Sequence, residues 1–477
     1  MTLEEVFSPR SVAVVGVSGG AELSFSGMIV LSLIMAGFPA IYPVNPKYKE
    51  ILELPCYPDL LSIPGPVDHV VVSITAEGCL DLLDECAVKG VRSVHFFTAG
   101  FGESGYKDRA DLEMAMLEKA RSGNFRIIGP NCVGIYVPKS RVVNHPNAPL
   151  EPGPIAFISQ SGGHAQNLPV FGASRGLRYS KVVSYGNALD VDECELFDYL
   201  TEDPETEIIS AYIEGVKDGR RLIDSMARAA RRKPLIVYKG GKTEAGKRAA
   251  FGHTASMTSS VAAFEAACRQ VNAIQVDNTE EMIDVLAALR FMRNIPVGPN
   301  VAVVGGGGGP SVLASDDMEI EGLRVPPLSS EVQDELKRHL PIAGSIFTNP
   351  IDTQNMIDPS TISFTLRTVG KSPDIHMIVY HLGLHPIGSW GLGRFSSPTF
   401  LEPAIEAILS AQQEIGKPVL MVLRPPQDLE SMKEYLGAQE ALVDAGLPVF
   451  LSLRDMARAI HRIIVWNERA KARGQDL

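Results

Sequence analysis

Residues 11–20 have the sequence SVAVVGVSGG, residues 155–163 the sequence IAFISQSGG, and residues 301–310 the sequence VAVVGGGGGP. Each segment is a short run of apolar, mostly β-branched residues that passes directly into small residues and glycine. This pattern is typical of a buried parallel strand followed by a tight turn and a helix. The three segments recur about every 145 residues, so the sequence predicts three successive α/β units.

Two proline-rich stretches separate these units. Residues 144–154 (NHPNAPLEPGP) contain four prolines, and residues 294–300 (NIPVGPN) contain two more. Proline and glycine clusters between periodic segments are typical of connections. We therefore predict domains at residues 1–147, 148–295 and 296–477.

Further apolar runs predict the remaining strands, and helical patterns lie between them. The predicted strands are residues 40–44, 67–74, 93–98, 126–128, 208–214, 234–239, 375–382 and 418–423. Strands that alternate with helices form parallel sheets with right-handed crossovers. The predicted fold class is α/β with parallel sheets.

Composition excludes several functional classes. The 477 residues are 45% hydrophobic and carry a formal net charge of −12, which disfavours nucleic-acid binding because phosphate neutralisation requires clustered Lys and Arg. The longest apolar stretch, residues 28–38, is too short to span a membrane. None of the six cysteines forms a CxxC pair, and the N-terminus does not resemble a signal peptide. We expect a cytoplasmic protein without disulfides or a zinc site.

The first predicted turn contains Gly16 and Gly19 but not the dinucleotide fingerprint G-x-G-x-x-G. The acidic residue that would bind a ribose hydroxyl is also absent, because no Asp or Glu occurs between Glu22 and Glu50. An NAD(P)-dependent oxidoreductase is therefore a weak alternative. Lys47, after the second strand, suits an adenine nucleotide with an additional phosphate, although it could equally be a solvated turn residue.

His253 lies in a polar, glycine-rich stretch, KGGKTEAGKRAAFGHTASMTSS at residues 239–260. No apolar periodicity surrounds the histidine, so we predict a mobile loop. A neutral imidazole can attack phosphorus, and nearby cations would attract phosphate. The cations in this stretch are Lys239, Lys242, Lys247 and Arg248.

Two other features of the second unit suit phosphate chemistry. Ser159–Gly163 forms a strand-to-helix turn whose successive backbone N–H groups could hold a phosphate. Glu214 ends a predicted strand, where its carboxylate could accept a hydrogen bond from a histidine. Taken separately, the first is equally compatible with an ordinary tight turn and the second with a surface residue.

Four motifs of the first unit together resemble the CoA-binding domain of the nucleoside-diphosphate-forming acyl-CoA synthetases. They are AVVGVSG (13–19), AIYPVNPKY (40–48), FFTAGFGESG (96–105) and IIGPNCVG (127–134). The resemblance implies CoA contacts, with Asn131 near the thiol and acyl group. The implied contact residues are Ser18, Gly19, Pro43, Asn45, Lys47 and Asn131. Cys132 is interpreted as a buried apolar residue, not as a nucleophile.

The second unit resembles the same family. Ser159–Gly163 matches its S-x-SGG turn, Glu214-Gly215 its EG pair, and residues 239–254 its phosphohistidine loop. The resemblance implies that His253 carries a phosphoryl group and that Glu214 orients it. The implied phosphate-binding residues are Ser159, Ser161, Gly162 and Gly163. Two glycines expected after the histidine are replaced by Ala255 and Ser259.

The third unit resembles the additional flavodoxin-like domain of the ADP-forming members. The resemblance thus implies a Rossmann-like CoA-binding domain followed by two flavodoxin-like domains. His381 and His385 are four residues apart, but they lie at a strand end, so no metal site is predicted in this chain. No residue span remains for an ATP-grasp module. The resemblance therefore implies a separate ATP-grasp β subunit that holds ADP or ATP and Mg²⁺, in an α2β2 assembly.

The expected function is that of the α subunit of an ADP-forming acyl-CoA synthetase, an acid–thiol ligase. Its reaction interconverts acyl-CoA, phosphate and ADP with a small carboxylic acid, CoA and ATP, through an acyl phosphate and a phosphohistidine. The alternative is a CoA-binding regulatory or sensing subunit without phosphotransfer. The altered residues after His253 motivate that alternative.

Overall fold

The computed structural model describes residues 1–18, 24–248, 260–305, 308–353, 358–383, 398–426 and 429–474. Residues 1–173 and 178–277 form one compact unit, and residues 174–177 and 278–476 form a second. None of the described helices is long and apolar enough to cross a lipid bilayer.

The first sheet of the first unit has five parallel strands in the order β2-β1-β5-β6-β7. Its strands are β1 (Val12–Val15), β2 (Ile41–Val44), β5 (His69–Val72), β6 (Ser93–Phe96) and β7 (Arg126–Ile128), and a small hairpin consists of β3 (Glu50–Ile51) and β4 (Leu54–Pro55). The helices are α1 (Leu3–Phe7), α2 (Phe25–Met35), α3 (Cys79–Lys89) and α4 (Lys107–Gly123). β1 is Val-Ala-Val-Val and is buried throughout, as expected for a parallel strand covered on both faces.

The second sheet has six strands in the order β13-β12-β11-β9-β10-β8. They are β8 (Gly134–Tyr136), β9 (Pro152–Ser159), β10 (Tyr179–Ser184), β11 (Ile208–Ile213), β12 (Leu235–Lys239) and β13 (Ile274–Val276). The helices are α5 (Gly162–Ala173), α6 (Glu193–Glu202), α7 (Gly219–Ala230) and α8 (Val261–Val271). β8 pairs antiparallel with β10, so the chain enters the second sheet before the proline-rich connection. The predicted domain boundaries stay predictions.

The second unit contains a five-stranded parallel sheet in the order β15-β14-β16-β17-β18. Its strands are β14 (Val301–Gly305), β15 (Ile351–Asp352), β16 (Met377–Gly383), β17 (Val419–Arg424) and β18 (Val449–Phe450). Its helices are α9 (Thr279–Phe291), α10 (Gly308–Ile320), α11 (Ser330–His339), α12 (Pro359–Gly370), α13 (Pro398–Ile415), α14 (Leu429–Asp444) and α15 (Leu453–Ala472). The predicted α/β class with parallel sheets is confirmed.

Arg126, the first residue of β7, joins the two sheets of the first unit. Its guanidinium pairs with Asp190 at 2.8 Å and with Glu195 at 2.7 Å. Asp190 also accepts a hydrogen bond from the backbone N–H of Ile127 at 2.9 Å. The two carboxylates, Glu195 first, raise the pKa of Arg126 despite its partial burial. This cluster fixes the loop after β10 against the end of the first sheet.

We predict that Arg126→Met lowers the free energy of unfolding by about 2 kcal/mol, because it leaves two partly buried carboxylates without their cation. The measurement is the midpoint of urea unfolding. Arg228, which pairs with Asp198 on the surface with about half of its side chain exposed, provides the control. Arg228→Met is expected to cost less than about 1 kcal/mol. Equal effects of the two substitutions would contradict the role assigned to Arg126.

Candidate active site

The turn after β1 requires glycine at position 16. Gly16 has φ +85°, and a Cβ there would lie 2.3 Å from the backbone oxygen of Ser73. Ser18 is half-buried just beyond it, whereas Gly19 lies outside the described residues. Ser24 immediately precedes α2, and its Oγ accepts a hydrogen bond from the Gly27 N–H at 3.2 Å. The turn thus leads into a capped helix N-terminus, which is a favourable place for an anion.

Asn45 joins the turn after β2 to the turn after β1. Its Nδ2 donates to the Val17 oxygen at 2.8 Å, and its Oδ1 accepts from the Lys47 N–H at 3.0 Å. Pro43 is buried within β2, while the Lys47 side chain is exposed. Ser18, Asn45 and Lys47 therefore share one edge of the first sheet. There Asn45 shapes the turns and Lys47 carries an exposed positive charge.

Asn131 occupies a left-handed turn, with φ +59°. Its N–H donates to the Thr98 oxygen at 3.0 Å. A Cβ on Gly186 would lie 2.6 Å from the Asn131 oxygen, so the loop after β10 packs directly against this turn. Cys132 is 3% exposed, and burial raises the pKa of its thiol to about 12. The interpretation of Cys132 as a buried, unreactive residue is confirmed, because the thiolate is the nucleophilic form.

The Asn187 side chain ties the same loop to the first domain. Its Nδ2 donates to Glu103 at 2.5 Å and to Glu113 at 3.3 Å. Burial is the largest cause of a raised pKa at Glu113. Lys217 Nζ donates to the backbone oxygens of Asn187 and Ala188, both at 2.8 Å. The sequence analysis includes Glu103 within a motif, but it does not identify this link.

The Ser159–Gly163 turn connects β9 to α5. Ser159 Oγ accepts from the Ser161 N–H at 3.1 Å and donates to the Ser161 oxygen at 2.7 Å. A Cβ on Gly162 would lie 2.8 Å from Val133 Cγ1, so this turn lies beside the Asn131 turn. The structure therefore brings the predicted phosphate-binding residues close to the predicted acyl-binding residue.

Glu214 follows β11, the strand next to β9. Its side chain is 7% exposed, and its Oε2 has no hydrogen-bond partner among the described residues. The Gln160 side-chain oxygen accepts hydrogen bonds from the backbone N–H groups of Glu214 and Gly215, at 2.5 and 2.9 Å. Gln160 belongs to the Ser159–Gly163 turn. One amide side chain therefore holds the predicted phosphate turn and the predicted carboxylate together.

A cluster of aromatic rings centred on Tyr212 lies beside this carboxylate. Tyr212 lies 4.2 Å from His164 and 5.0 Å from Tyr238 between ring centroids. Burial, together with the Glu214 carboxylate, raises the pKa of the Tyr212 hydroxyl. A Cβ on Gly240 would lie 2.4 Å from the Tyr212 hydroxyl and 3.2 Å from Glu214 Cγ. Sequence reasoning missed this cluster, whose only signal is tyrosine near the ends of two adjacent strands.

His253 lies outside the described residues, as do Ala255 and Ser259. The expectation that four nearby cations attract phosphate stays a prediction, and the structure shows the surroundings of three of them. Lys242 pairs with Asp277, Lys247 pairs with Glu244, and Lys239 is 1% exposed.

The glycine turn of the second unit follows β14. A Cβ on Gly305 would lie 2.1 Å from His381 Nε2, so glycine is needed for the strands to approach. His381 lies within β16 and is 1% exposed, and His385 is outside the described residues. Among the described residues, no three His, Cys, Asp or Glu side chains are grouped to hold a metal.

Three family matches cover most of the chain. Residues 10–138 match a CoA binding domain, residues 152–289 a succinyl-CoA ligase like flavodoxin domain, and residues 301–446 a ligase-CoA domain. The chain is 32% identical over 465 residues to the α subunit of an ADP-forming acetate–CoA ligase II from Pyrococcus furiosus, with 97% of each chain covered.

Two further matches extend the comparison. The chain is 30% identical to an ADP-forming acetate–CoA ligase I from Archaeoglobus fulgidus, covering 99% of this chain but 64% of that longer relative. A solved acetyl-coenzyme A synthetase 1 from Ca. Korarchaeum cryptofilum, in complex with phosphate and ADP, superposes with a TM-score of 0.79 at 28% identity. That match covers 100% of this chain and 99% of that one.

Fold and sequence together define a CoA-binding α/β protein with two flavodoxin-like ligase domains. The chain belongs to the ADP-forming acyl-CoA synthetase family, and it matches an α subunit of that family along nearly its whole length. The resemblance and the domain types expected from the motifs are confirmed.

We predict that Gly240→Ala slows turnover by at least about tenfold, the effect of a displacement near 1 Å at a reacting centre. The added methyl group would push the Tyr212 hydroxyl and Glu214 apart. The measurement is the rate of acyl-CoA-dependent ATP formation in the presence of the partner subunit. Gly219→Ala is the matched control, since a Cβ there meets nothing within 4 Å. A Gly240→Ala variant with the wild-type rate would contradict this packing constraint.

Proposed function

We propose that this chain performs the acyl-CoA half of an ADP-forming acyl-CoA synthetase reaction. The observation that carries the proposal is the Gln160 contact. The Gln160 side-chain oxygen lies 2.5 Å from the Glu214 backbone nitrogen and so joins the Ser159–Gly163 turn to Glu214. This contact supports the proposal because it joins an amide-rich turn to a buried carboxylate, one oxygen of which has no hydrogen-bond partner among the described residues. A phosphoryl acceptor between them would have donors on one side and an acceptor for its own N–H on the other.

The first step forms an acyl phosphate. A phosphate oxygen attacks the thioester carbonyl carbon, the carbon–sulfur bond breaks, and CoA leaves as the thiol with a proton from phosphate. The second step transfers the phosphoryl group to His253. An imidazole nitrogen attacks phosphorus, the bond to the acyl oxygen breaks, and the carboxylic acid leaves as its carboxylate.

The roles of the chain's residues follow from this order. Ser159, Ser161, Gly162 and Gly163 would hold the phosphate. Glu214 would accept the N–H of the His253 ring, which fixes its tautomer and stabilises the cation formed on phosphorylation. Ser18, Gly19, Pro43, Asn45 and Lys47 would bind CoA, with Asn131 at the thioester.

The third step needs a nucleotide site. The phosphorus–nitrogen bond breaks as an oxygen of the ADP β-phosphate attacks, which yields ATP and frees the histidine. We propose that an ATP-grasp β subunit supplies this site with Mg²⁺, in an α2β2 assembly. The Archaeoglobus fulgidus relative supports this, because roughly a third of its length has no counterpart here. Six unpaired cysteines are consistent with the proposed cytoplasmic location.

The comparisons favour the ligase over a CoA-sensing subunit, because the P. furiosus and A. fulgidus relatives are both described as ligases. The acyl group is proposed to be that of a small carboxylic acid. Acetyl-CoA is the first probe, since acetate is the acid that both relatives' descriptions name.

We predict that the full chain, incubated with inorganic phosphate and acetyl-CoA, gains one acid-labile phosphoryl group on His253 by peptide mass spectrometry. His253→Ala is expected to gain none. Glu214→Gln is expected to gain it at least about tenfold more slowly, as when a catalytic histidine loses its orienting carboxylate.

His145→Ala is the control for these variants, since His145 is a half-buried histidine outside the proposed site. The His145→Ala variant should be phosphorylated on His253 at the wild-type rate. The proposal fails if His253→Ala, combined with the partner subunit, retains full ligase turnover.

A further inference from the structure

Lys239 is a buried cation at the edge of the sheet where the candidate site lies. The residue is 1% exposed and forms no ion pair with any residue that the structure describes. Its Nζ donates to two backbone oxygens, those of Glu214 and Gly240, each at 2.5 Å. The ammonium also lies 5.8 Å from the centre of the Phe264 ring.

These contacts join three separate elements. Glu214 follows β11, Gly240 follows β12, and Phe264 lies in the first turn of α8. Residues 240–260 connect β12 to α8, and this connection contains His253 in the sequence. One ammonium group therefore contacts the backbone of the proposed orienting carboxylate and the first residue of this connection, and it lies near a ring of the helix that follows the connection.

A buried cation of this kind does not favour the stability of the fold. Burial lowers the pKa of Lys239 to about 8, although Glu214 opposes the shift. A buried charge without a counter-ion is costly, and apolar side chains of similar volume often replace buried charges without loss of stability. An ammonium retained at this position suggests a need for its directed hydrogen bonds.

A second lysine, just before the same strand, provides a direct comparison. Lys233 precedes β12 at its other end, and its Nζ donates to the backbone oxygens of Leu200 and Asp203 at 2.6 and 2.7 Å. It therefore makes the same kind of contact at the opposite edge of the sheet, away from Glu214. Burial lowers its pKa as well.

We propose that Lys239 is a positioning residue for phosphoryl transfer. Its ammonium fixes the backbone at Glu214 and at Gly240, and it thereby sets the position from which the Glu214 carboxylate would orient the histidine of the proposed function. This inference rests on the proposed function. It predicts that the charge at position 239 matters for the rate of phosphorylation and not for the affinity of either substrate.

The test compares Lys239→Met, Lys239→Arg and Lys233→Met in the full chain. For each, the rate of His253 phosphorylation from acetyl-CoA and inorganic phosphate is measured over a range of substrate concentrations. CoA binding is measured by calorimetry and folding by thermal unfolding. Lys239→Met is expected to lower the maximal rate at least about 30-fold, since misplaced catalytic groups cost up to about 100-fold. The KM values and the Kd for CoA should change less than about twofold, because the substitution leaves the binding of the substrates in the ground state unchanged.

The other two variants decide between positioning and general stability. Lys239→Arg, which keeps a buried cation, should recover at least about a tenth of the wild-type rate. Lys233→Met should keep the wild-type rate even if it unfolds at a lower temperature. An equal loss of rate in Lys233→Met would overturn the inference, because the effect would then belong to the sheet as a whole.

The outcomes also separate this inference from the function on which it rests. If Lys239→Met is phosphorylated at the wild-type rate and His253→Ala is not phosphorylated, the positioning role is wrong and the proposed function stands. If His253→Ala is still phosphorylated, the proposed function fails first. Should Lys239→Met not fold, Lys239→Arg decides: recovery of the rate supports the role, and complete loss in a folded protein contradicts it.

Discussion

The candidate site depends on one side-chain oxygen, that of Gln160. It accepts hydrogen bonds from two consecutive backbone N–H groups, those of Glu214 and Gly215. These N–H groups lie beyond the end of β11, where the ladder with β9 has ended. Without Gln160 they would be buried donors lacking a partner, which costs about 1–3 kcal/mol each. The same contact that satisfies the backbone therefore also sets the distance between the Ser159–Gly163 turn and the Glu214 carboxylate.

Close packing of glycine completes this arrangement. Gly162 lies against Val133, Gly186 against the Asn131 turn, and Gly240 against Tyr212 and Glu214. At each position a methyl group would collide with its neighbour at under 3 Å. The turns that surround the site can approach one another only because they carry no side chain at these points. Arg126 then holds the loop after β10 in place through Asp190 and Glu195.

Much of this could be predicted from the sequence, for a definite reason. The carboxyl ends of parallel strands meet at one edge, so residues that follow apolar strands, such as Ser161 and Glu214, are expected to be neighbours. Contacts that depend on the order of the strands in the sheet could not be predicted in this way. Gln160 reaches a residue 54 positions away, and β8 joins the second sheet as an antiparallel edge strand.

Lys239 shows the other limit of sequence reasoning. The residues that follow it are polar and glycine-rich, which favours an exposed cation that attracts phosphate. The structure instead buries it between two carbonyl oxygens. Burial of a lysine by its own strand end leaves no pattern in the sequence. Asn45 is similar, since both of its polar groups serve the turns around it.

In the proposed reaction, phosphate, and not water or a nucleotide, attacks the thioester and passes its phosphoryl group to this chain. The most direct measurement uses inorganic phosphate labelled with oxygen-18 together with acetyl-CoA, ADP and the partner subunit. The mass of the released acetate is then determined. One labelled oxygen is expected in each acetate, because the bridging oxygen of the acyl phosphate stays with the acyl group when histidine takes the phosphorus. Unlabelled acetate formed together with ATP would rule out this reaction.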